Sequence, residues 1–407
     1  MLVNFSVENF GPIRDKQTLS FEAQKDIHLE DEYVIHCENG MRLLKFAIIF
    51  GANASGKSTL IEALQFLYKL ILCPLEKKNE NLLFLPFEFD SASKDKNSSL
   101  SIEFLQNGTR YYYFVSFDRT HIVLEELFVL SKKKTKTNVF RRTTDTDKQV
   151  SSLKFGRSFN VPKAAVGMLS MNTLWNTTVL SSFMKVNVDQ KELKDATEWV
   201  TNHLIWVNSP YDEDQTLVTD FIDNGIIDKS KVLQVLQKAD FNIDDILYKK
   251  KEGNQNDDKK EFDLAMVHSV KSEKYYLPYA FESDGTKRFY MLAGFLEMAR
   301  KVPHLIAVDE IDASLHPDLV LHYLLMFMEN VKNSQLIVTT HCREILDDKN
   351  LFRNDAVWFT NKKEDGATEL YSLDDFDTSV IRDTSNILNA YKSGKLNAIP
   401  KTKDYFL

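Results

Sequence analysis

A chain of 407 residues with 43 % hydrophobic and 12 % aromatic content can bury a large core, which excludes a disordered chain and points to two or three compact units. A formal net charge of −8 excludes a protein that wraps nucleic acid over its whole surface. No apolar run reaches membrane-spanning length and no signal-peptide pattern opens the chain, so a cytoplasmic location without membrane contact is expected.

Val3, Phe5 and Val7 alternate with Asn4, Ser6 and Glu8, the period of a half-buried strand over Leu2 to Phe10. Gly11-Pro12 turns the chain, a second strand is predicted at Leu19 to Ala23, and Leu43 to Phe50 reads as a buried central strand. Leu60, Leu64, Leu67 and Ile71 then recur at helical spacing until Pro74. Residues 82 to 130 read as an antiparallel β-subdomain, with strands at Ser101 to Leu105, Arg110 to Phe117 and His121 to Leu130 and a turn at Asn107-Gly108. A basic stripe follows: Lys132, Lys133, Lys134, Lys136, Arg141 and Arg142, partly offset by Asp145 and Asp147. It reads either as a contact for nucleic acid or as a solvated hairpin tip.

From Pro162 to Asp240 helical patterns dominate, in Leu193, Ala196, Val200 and Leu204 and again in Val232, Val235 and Leu236. The tract Lys249 to Glu261 is polar and reads as a mobile loop before a strand at Phe262 to Val270. Strands at Leu305 to Val308, Leu336 to Thr340, Ala356 to Thr360 and Glu369 to Leu373, with Pro317 at a helix start, return the chain to α/β alternation. The expected organisation is an N-terminal half with a β-subdomain (1–160), a helical insertion (161–260) and a C-terminal half (261–407). Cys37, Cys73 and Cys342 show neither metal-ligand nor redox spacing. Asp375 and Asp377 form an acidic pair in a polar turn, read as a solvated loop.

Four segments carry chemistry. Gly51-Ala-Asn-Ala-Ser-Gly-Lys-Ser58 fits the full phosphate-loop pattern between a predicted strand and a predicted helix. Its backbone, through Gly51, Asn53, Ala54, Ser55 and Gly56, is expected to cradle phosphates, with Lys57 on the β- and γ-phosphates and Ser58 on Mg2+. Thr59 falls at the helix start. In Leu305-Ile-Ala-Val308-Asp309-Glu310 two carboxylates follow an apolar strand, a Walker B pattern. Asp309 is expected near the magnesium ion and Glu310 as the base that polarises the attacking water. His341 follows the strand ending at Thr340; it is either a structural histidine or a hydrogen-bond donor to a γ-phosphate, and its place at a strand tip favours the second. Ser283 and Gly285, in Glu282-Ser-Asp-Gly-Thr-Lys-Arg288, begin a helix; their spacing suits an anion site or plain capping.

These motifs, in this order and with a large insertion between the first and the fourth, resemble ABC-type ATPases and more narrowly SMC-like heads. Glu282 to Arg288, Asp309-Glu-Ile-Asp-Ala-Ser-Leu-His-Pro317 and Thr339-Thr-His341 resemble the AAA-family, ABC-like ATPases of bacterial defence, similar to RloA and to the ATPase half of overcoming-lysogenization-defect proteins. Ala390 to Pro400 and the opening Phe5 to Ile13 resemble the same group. The fold expected is α/β, a P-loop NTPase ABC-type head with an antiparallel β-subdomain and a helical insertion. In this resemblance Ser283 to Arg288 is the signature motif, His341 the switch histidine and Asp312 to His316 the D-loop. Asp284 and Thr286-Lys287 depart from the usual signature, and His316 from the usual D-loop aspartate. No glutamine stands out as the Q-loop residue.

The resemblance implies an ATP- and Mg2+-dependent ATPase in which ATP is sandwiched between two copies, Ser283 and Gly285 of one facing the phosphate loop of the other, with Lys57, Glu310 and His341 catalytic. It also implies a co-encoded effector under the control of a defence switch. Other readings are a DNA-repair or chromosome-associated SMC-like head that binds nucleic acid, a nuclease with an appended Toprim domain, and a nucleotide-bound scaffold with little turnover. With the strands after His341 expected to finish the head, an appended Toprim domain is not expected, and no sustained heptad pattern marks residues 160–280 as coiled coil.

Overall fold

Strict alternation at the N-terminus becomes strand β1 (Leu2–Glu8), whose Val3, Phe5 and Val7 are buried. The computed structural model describes residues 1–207, 215–239, 241–251, 262–347, 352–376 and 387–399. Packing divides the chain into two units, Met1–Leu204 with Asp348–Leu407, and Ile205–Asp347.

In the first unit β1 is followed by β2 (Gln17–Ser20), the short helix α1 (Glu30–Tyr33), β3 (Val34–His36) and β4 (Arg42–Leu44). The apolar run read as one strand is broken at Lys45, after which β5 (Phe46–Gly51) is buried at every position. Helix α2 (Lys57–Leu72) and the one-turn α3 (Ser91–Lys94) precede a meander of β6 (Ser98–Gln106), β7 (Thr109–Phe117), β8 (Ile122–Leu130), β9 (Lys136–Asp145) and β10 (Val150–Phe155). These strands join β1 and β2 in one antiparallel sheet of order β10-β9-β8-β7-β6-β1-β2. The β-subdomain is therefore larger than the sequence indicates.

Helices α4 (Lys163–Asn172), α5 (Val179–Phe183) and α6 (Lys191–His203) cover this sheet in the same unit. Trp199 of α6 is fully buried and stacks on Phe104 at 4.6 Å. Asp195, also buried, accepts from Asn107 Nδ2 (2.8 Å) and from the Tyr111 hydroxyl (2.7 Å), so one carboxylate pins α6 to the β6–β7 turn. Strand β17 (Val357–Lys362) lies parallel to β5 and antiparallel to β18 (Thr368–Ser372), and α11 (Ile387–Lys392) follows.

Of the basic stripe, Lys132, Lys133, Lys134, Lys136 and Arg141 are exposed, and Arg142 is not. Successive strand residues point to opposite sheet faces, so Arg141 and Arg142 part company. Arg141 is exposed opposite Glu126, whereas Arg142 is fully buried. It donates to the carbonyls of Ile122, Leu174 (3.1 Å) and Trp175 (2.7 Å), beside the buried Glu125. Glu125 in turn accepts from the Tyr113 hydroxyl (2.9 Å) and the Val179 N–H (2.7 Å). Lys134 pairs with Glu22 at 3.1 Å, and the Lys136 ammonium sits 3.4 Å over the Tyr112 ring. Removing the cation would leave Glu125 and three carbonyls without it, so Arg142→Met is expected to destabilise the unit by about 3–5 kcal/mol. A lowered urea midpoint with an unchanged slope is the measurement.

The second unit begins within β11 (Leu204–Val207), a strand inside the stretch read as helical, followed by α7 (Gln215–Asp223) and α8 (Lys229–Lys238). A three-stranded antiparallel sheet comes next, β12 (Ile243–Lys250), β13 (Phe262–Val270) and β14 (Glu273–Pro278). Of the tract read as a loop, Lys249 and Lys250 end β12 and residues 252–261 lie outside the described residues. Helix α9 (Asp284–Lys301), β15 (Leu305–Val308), α10 (Pro317–Asn330) and β16 (Gln335–Thr340) complete the unit, with β15 parallel to β16 and β11 beside β15. Among the described residues no helix is long and apolar enough to cross a membrane.

Candidate nucleotide site

The phosphate loop belongs to the first unit. Buried β5 delivers Gly51 to a turn whose tip, Asn53 and Ala54, is exposed, and α2 begins at Lys57. Ala54 (φ 58°) and Gly56 (φ 100°) are both left-handed, which curls the chain around the helix N-terminus. At Gly56 a Cβ would collide with the Thr368 side chain, so only glycine fits there. Ser55 is buried; its hydroxyl bonds the Thr360 hydroxyl at 2.6 Å, and its carbonyl accepts from Thr368 Oγ1 at 2.9 Å. Lys57 Nζ donates to the carbonyls of Gly51 (2.9 Å) and Ala52 (3.1 Å), which folds the ammonium back over the loop. Ser58 is half-buried in the first helical turn, and Thr59 is buried beside it as a helix-start residue.

The second unit carries the acidic strand end. Buried β15 places Asp309, half-buried, and Glu310, exposed, just past Val308. Thr339 on β16 joins them: its hydroxyl donates to Asp309 Oδ1 at 2.5 Å and accepts from the Glu310 N–H at 2.7 Å. Glu310 is thereby held at φ 47°, a left-handed conformation costing roughly 1–3 kcal/mol for a residue other than glycine. One strand position on, Thr340 Oγ1 donates to Asp312 Oδ1 at 2.7 Å, and the same carboxylate accepts from the His341 N–H at 3.2 Å. His341 itself is exposed at the strand tip.

Ser283 is the N-cap of α9, accepting from the Thr286 N–H at 3.0 Å. Capping is thus its role within the chain, and its exposure leaves the helix N-terminus facing solvent. Gly285 lets the chain approach: a Cβ there would stand 2.8 Å from the Ser314 carbonyl oxygen. Arg288, one turn further along α9 and fully buried, donates through Nη2 to the carbonyls of Asp309 (2.8 Å) and Glu310 (3.1 Å). Burial pushes its guanidinium down, and Tyr323, Asp309, Asp312 and Glu310 pull it back. His316 caps α10, its Nδ1 accepting from the Asp318 N–H at 3.2 Å. Asp375 closes a capping box with Ser372, and Asp377 lies outside the described residues.

Each unit therefore gathers its own predicted residues, Gly51 to Thr59 in one and Ser283, Gly285, Asp309, Glu310 and His341 in the other. Reasoning from sequence misses Thr339, Thr360 and Thr368, whose hydroxyls hold these segments, and the contact made by Arg288. Among the described residues no three His, Cys, Asp or Glu side chains cluster as a self-sufficient metal site. Magnesium takes few protein ligands and fills its shell with phosphate and water oxygens, so a single hydroxyl or carboxylate suits it.

Replacing Thr339 with valine keeps the shape and removes the hydroxyl, leaving the Glu310 N–H without this acceptor. A stability loss of about 1–3 kcal/mol is expected in thermal or urea unfolding. Any hydrolysis should fall further than nucleotide affinity does.

Solved structures of SMC heads are similar at low identity. An SMC head bound to the C-winged helix domain of ScpA is 15 % identical with a TM-score of 0.46, covering 91 % of this chain and 97 % of that one. The SMC head domain from Thermotoga maritima is 12 % identical with a TM-score of 0.40, at 91 % and 98 % coverage. The Pyrococcus furiosus SMC head with an extended coiled coil, bound to the C-terminal domain of ScpA, is 13 % identical with a TM-score of 0.43, at 97 % and 98 % coverage. No curated protein matches the sequence. Residues 46–347, most of the chain and all four motifs, match the family described as "AAA domain, putative AbiEii toxin, Type IV TA system", and the chain belongs to that family of AAA-type, nucleotide-binding ATPase domains.

Proposed function

We propose that this protein binds ATP with Mg2+, hydrolyses it to ADP and phosphate, and uses the cycle as a dimerisation switch that controls a separate effector in bacterial defence. The observation that carries the reading is the phosphate loop, with left-handed Ala54 and Gly56 and the Lys57 ammonium folded over it at the start of α2. Such a loop suits an anion that meets backbone N–H groups and one lysine. In the proposed reaction Lys57 neutralises the β- and γ-phosphates, Glu310 accepts the proton of the attacking water, and His341 hydrogen-bonds the γ-phosphate. Ser58 and Asp309 are the residues proposed to hold magnesium, which when bound would neutralise charge on the phosphates.

Ser283 and Gly285 of a second copy are proposed to meet the γ-phosphate. ATP then bridges two protein surfaces and its hydrolysis removes the bridge. The exposed N-terminus of α9 supports this, because a capped helix start facing solvent can take an anion from another molecule. The family description names a toxin of a type IV toxin–antitoxin system, which fits a chain acting with a co-encoded partner.

Phosphate release by the wild type, Lys57→Ala and Glu310→Gln tests the enzymatic part; equal background rates in all three would sink it. Co-purification with the product of an adjacent gene, together with phage plating on wild-type and Lys57→Ala strains, tests the cellular part. No partner and identical plating would overturn it.

A further inference from the structure

The Walker B segment is attached to α9 at two points. Arg288 Nη2 donates to the carbonyls of Asp309 and Glu310, and Gly285 lies against the backbone of Ser314, which is itself left-handed at φ 62°. The segment between them is short and strained at both ends, since Glu310 is left-handed too. On the opposite side Thr339 holds the Glu310 N–H and the Asp309 carboxylate. The Glu310 peptide is thus gripped at its N–H by β16 and at its carbonyl by α9. Its left-handed conformation is set by both grips, and the direction of the Glu310 side chain follows from that conformation.

We infer that Arg288 is a positioning residue for Glu310, carrying the state of the α9 N-terminus to the backbone that aims the base. The inference rests on the proposed role of Glu310 in hydrolysis. Arg288 itself is fully buried. Ser283 and Arg288 sit little more than one turn apart on one rigid helix, so a tilt imposed at the exposed Ser283 end moves the guanidinium and with it the Glu310 carbonyl. An anion seated at the α9 start would in this way set the aim of the carboxylate in the same chain.

Arg288→Met removes both hydrogen bonds while keeping length and apolar bulk. Arg288→Lys keeps the charge on a shorter reach without the planar fork. The expected result is a kcat lowered about 100-fold in Arg288→Met and less in Arg288→Lys, because misplacing a reacting group by about 1 Å costs that much. KM and the affinity for a fluorescent ATP analogue should stay within about threefold of wild type, the split expected when only positioning is lost.

A wild-type kcat in a folded Arg288→Met protein overturns the inference while leaving ATP hydrolysis intact. Equal losses in affinity and kcat, or unfolding of both variants at the assay temperature, assign Arg288 to structure alone and also overturn it. Absence of hydrolysis by the unmodified chain, with ATP still bound, overturns the proposed function and this inference together.

Discussion

Glu310→Gln is expected to lower ATP hydrolysis by about 10²–10⁴-fold while leaving ATP binding within a few-fold of wild type, and to leave an ATP-bound dimer that does not open. The amide matches the carboxylate in size and keeps the Glu310 backbone, so the bonds from the peptide to Thr339 and Arg288 persist. What disappears is the ability to take a proton from water. If ATP bridges two copies, blocking its cleavage holds them together, and light scattering should give twice the monomer mass with ATP and the monomer mass without it. A variant that hydrolyses at the wild-type rate would remove Glu310 from the chemistry. One that loses hydrolysis yet stays monomeric with ATP bound would separate the enzyme from the proposed switch.

The second large effect is expected from Lys57→Ala. The lysine ammonium is buried and held over the loop by the carbonyls of Gly51 and Ala52, so its charge is concentrated where phosphate oxygens would sit. Its loss should weaken ATP binding by about 10²-fold, with hydrolysis falling to background, because one close cation offsets a large share of the charge of a triphosphate. Titration with a fluorescent ATP analogue measures the first and phosphate release the second. The fold should persist, since the loop is braced independently through Ser55, Thr360 and Thr368. Retained affinity would mean that the loop binds through its backbone alone.

Some of this site was legible because the chemistry demands contiguous residues. A backbone that curls around an anion needs Gly51 to Ser58 in one run, and two carboxylates at a strand end need only Val308, Asp309 and Glu310 in sequence. The braces were not legible, because each joins segments far apart in the chain: Thr339 to Asp309, Arg288 to Glu310, Thr360 to Ser55. Threonines in a strand look like any β-branched residue, and nothing local marks which of them gives its hydroxyl to a neighbouring segment. Strand β11 escaped because four apolar residues after a helical run carry no period of their own. Arg142 was the avoidable error. Adjacent to Arg141 in an alternating strand, the two could never have shared one face.

The braces on the phosphate loop also set a timetable. Thr360 and Thr368 follow Ser55 by 305 and 313 positions, and β17 is the parallel neighbour of β5. During synthesis at about 5–20 residues per second, the loop therefore waits on the order of 15–60 s before the residues that brace it have been made. Until then the ribosome carries a phosphate-loop sequence with no finished cradle around it. A chain that stalls or is cleaved between His341 and β17 would keep every motif residue and lack the braced loop, so nucleotide capture would mark only chains translated through β18.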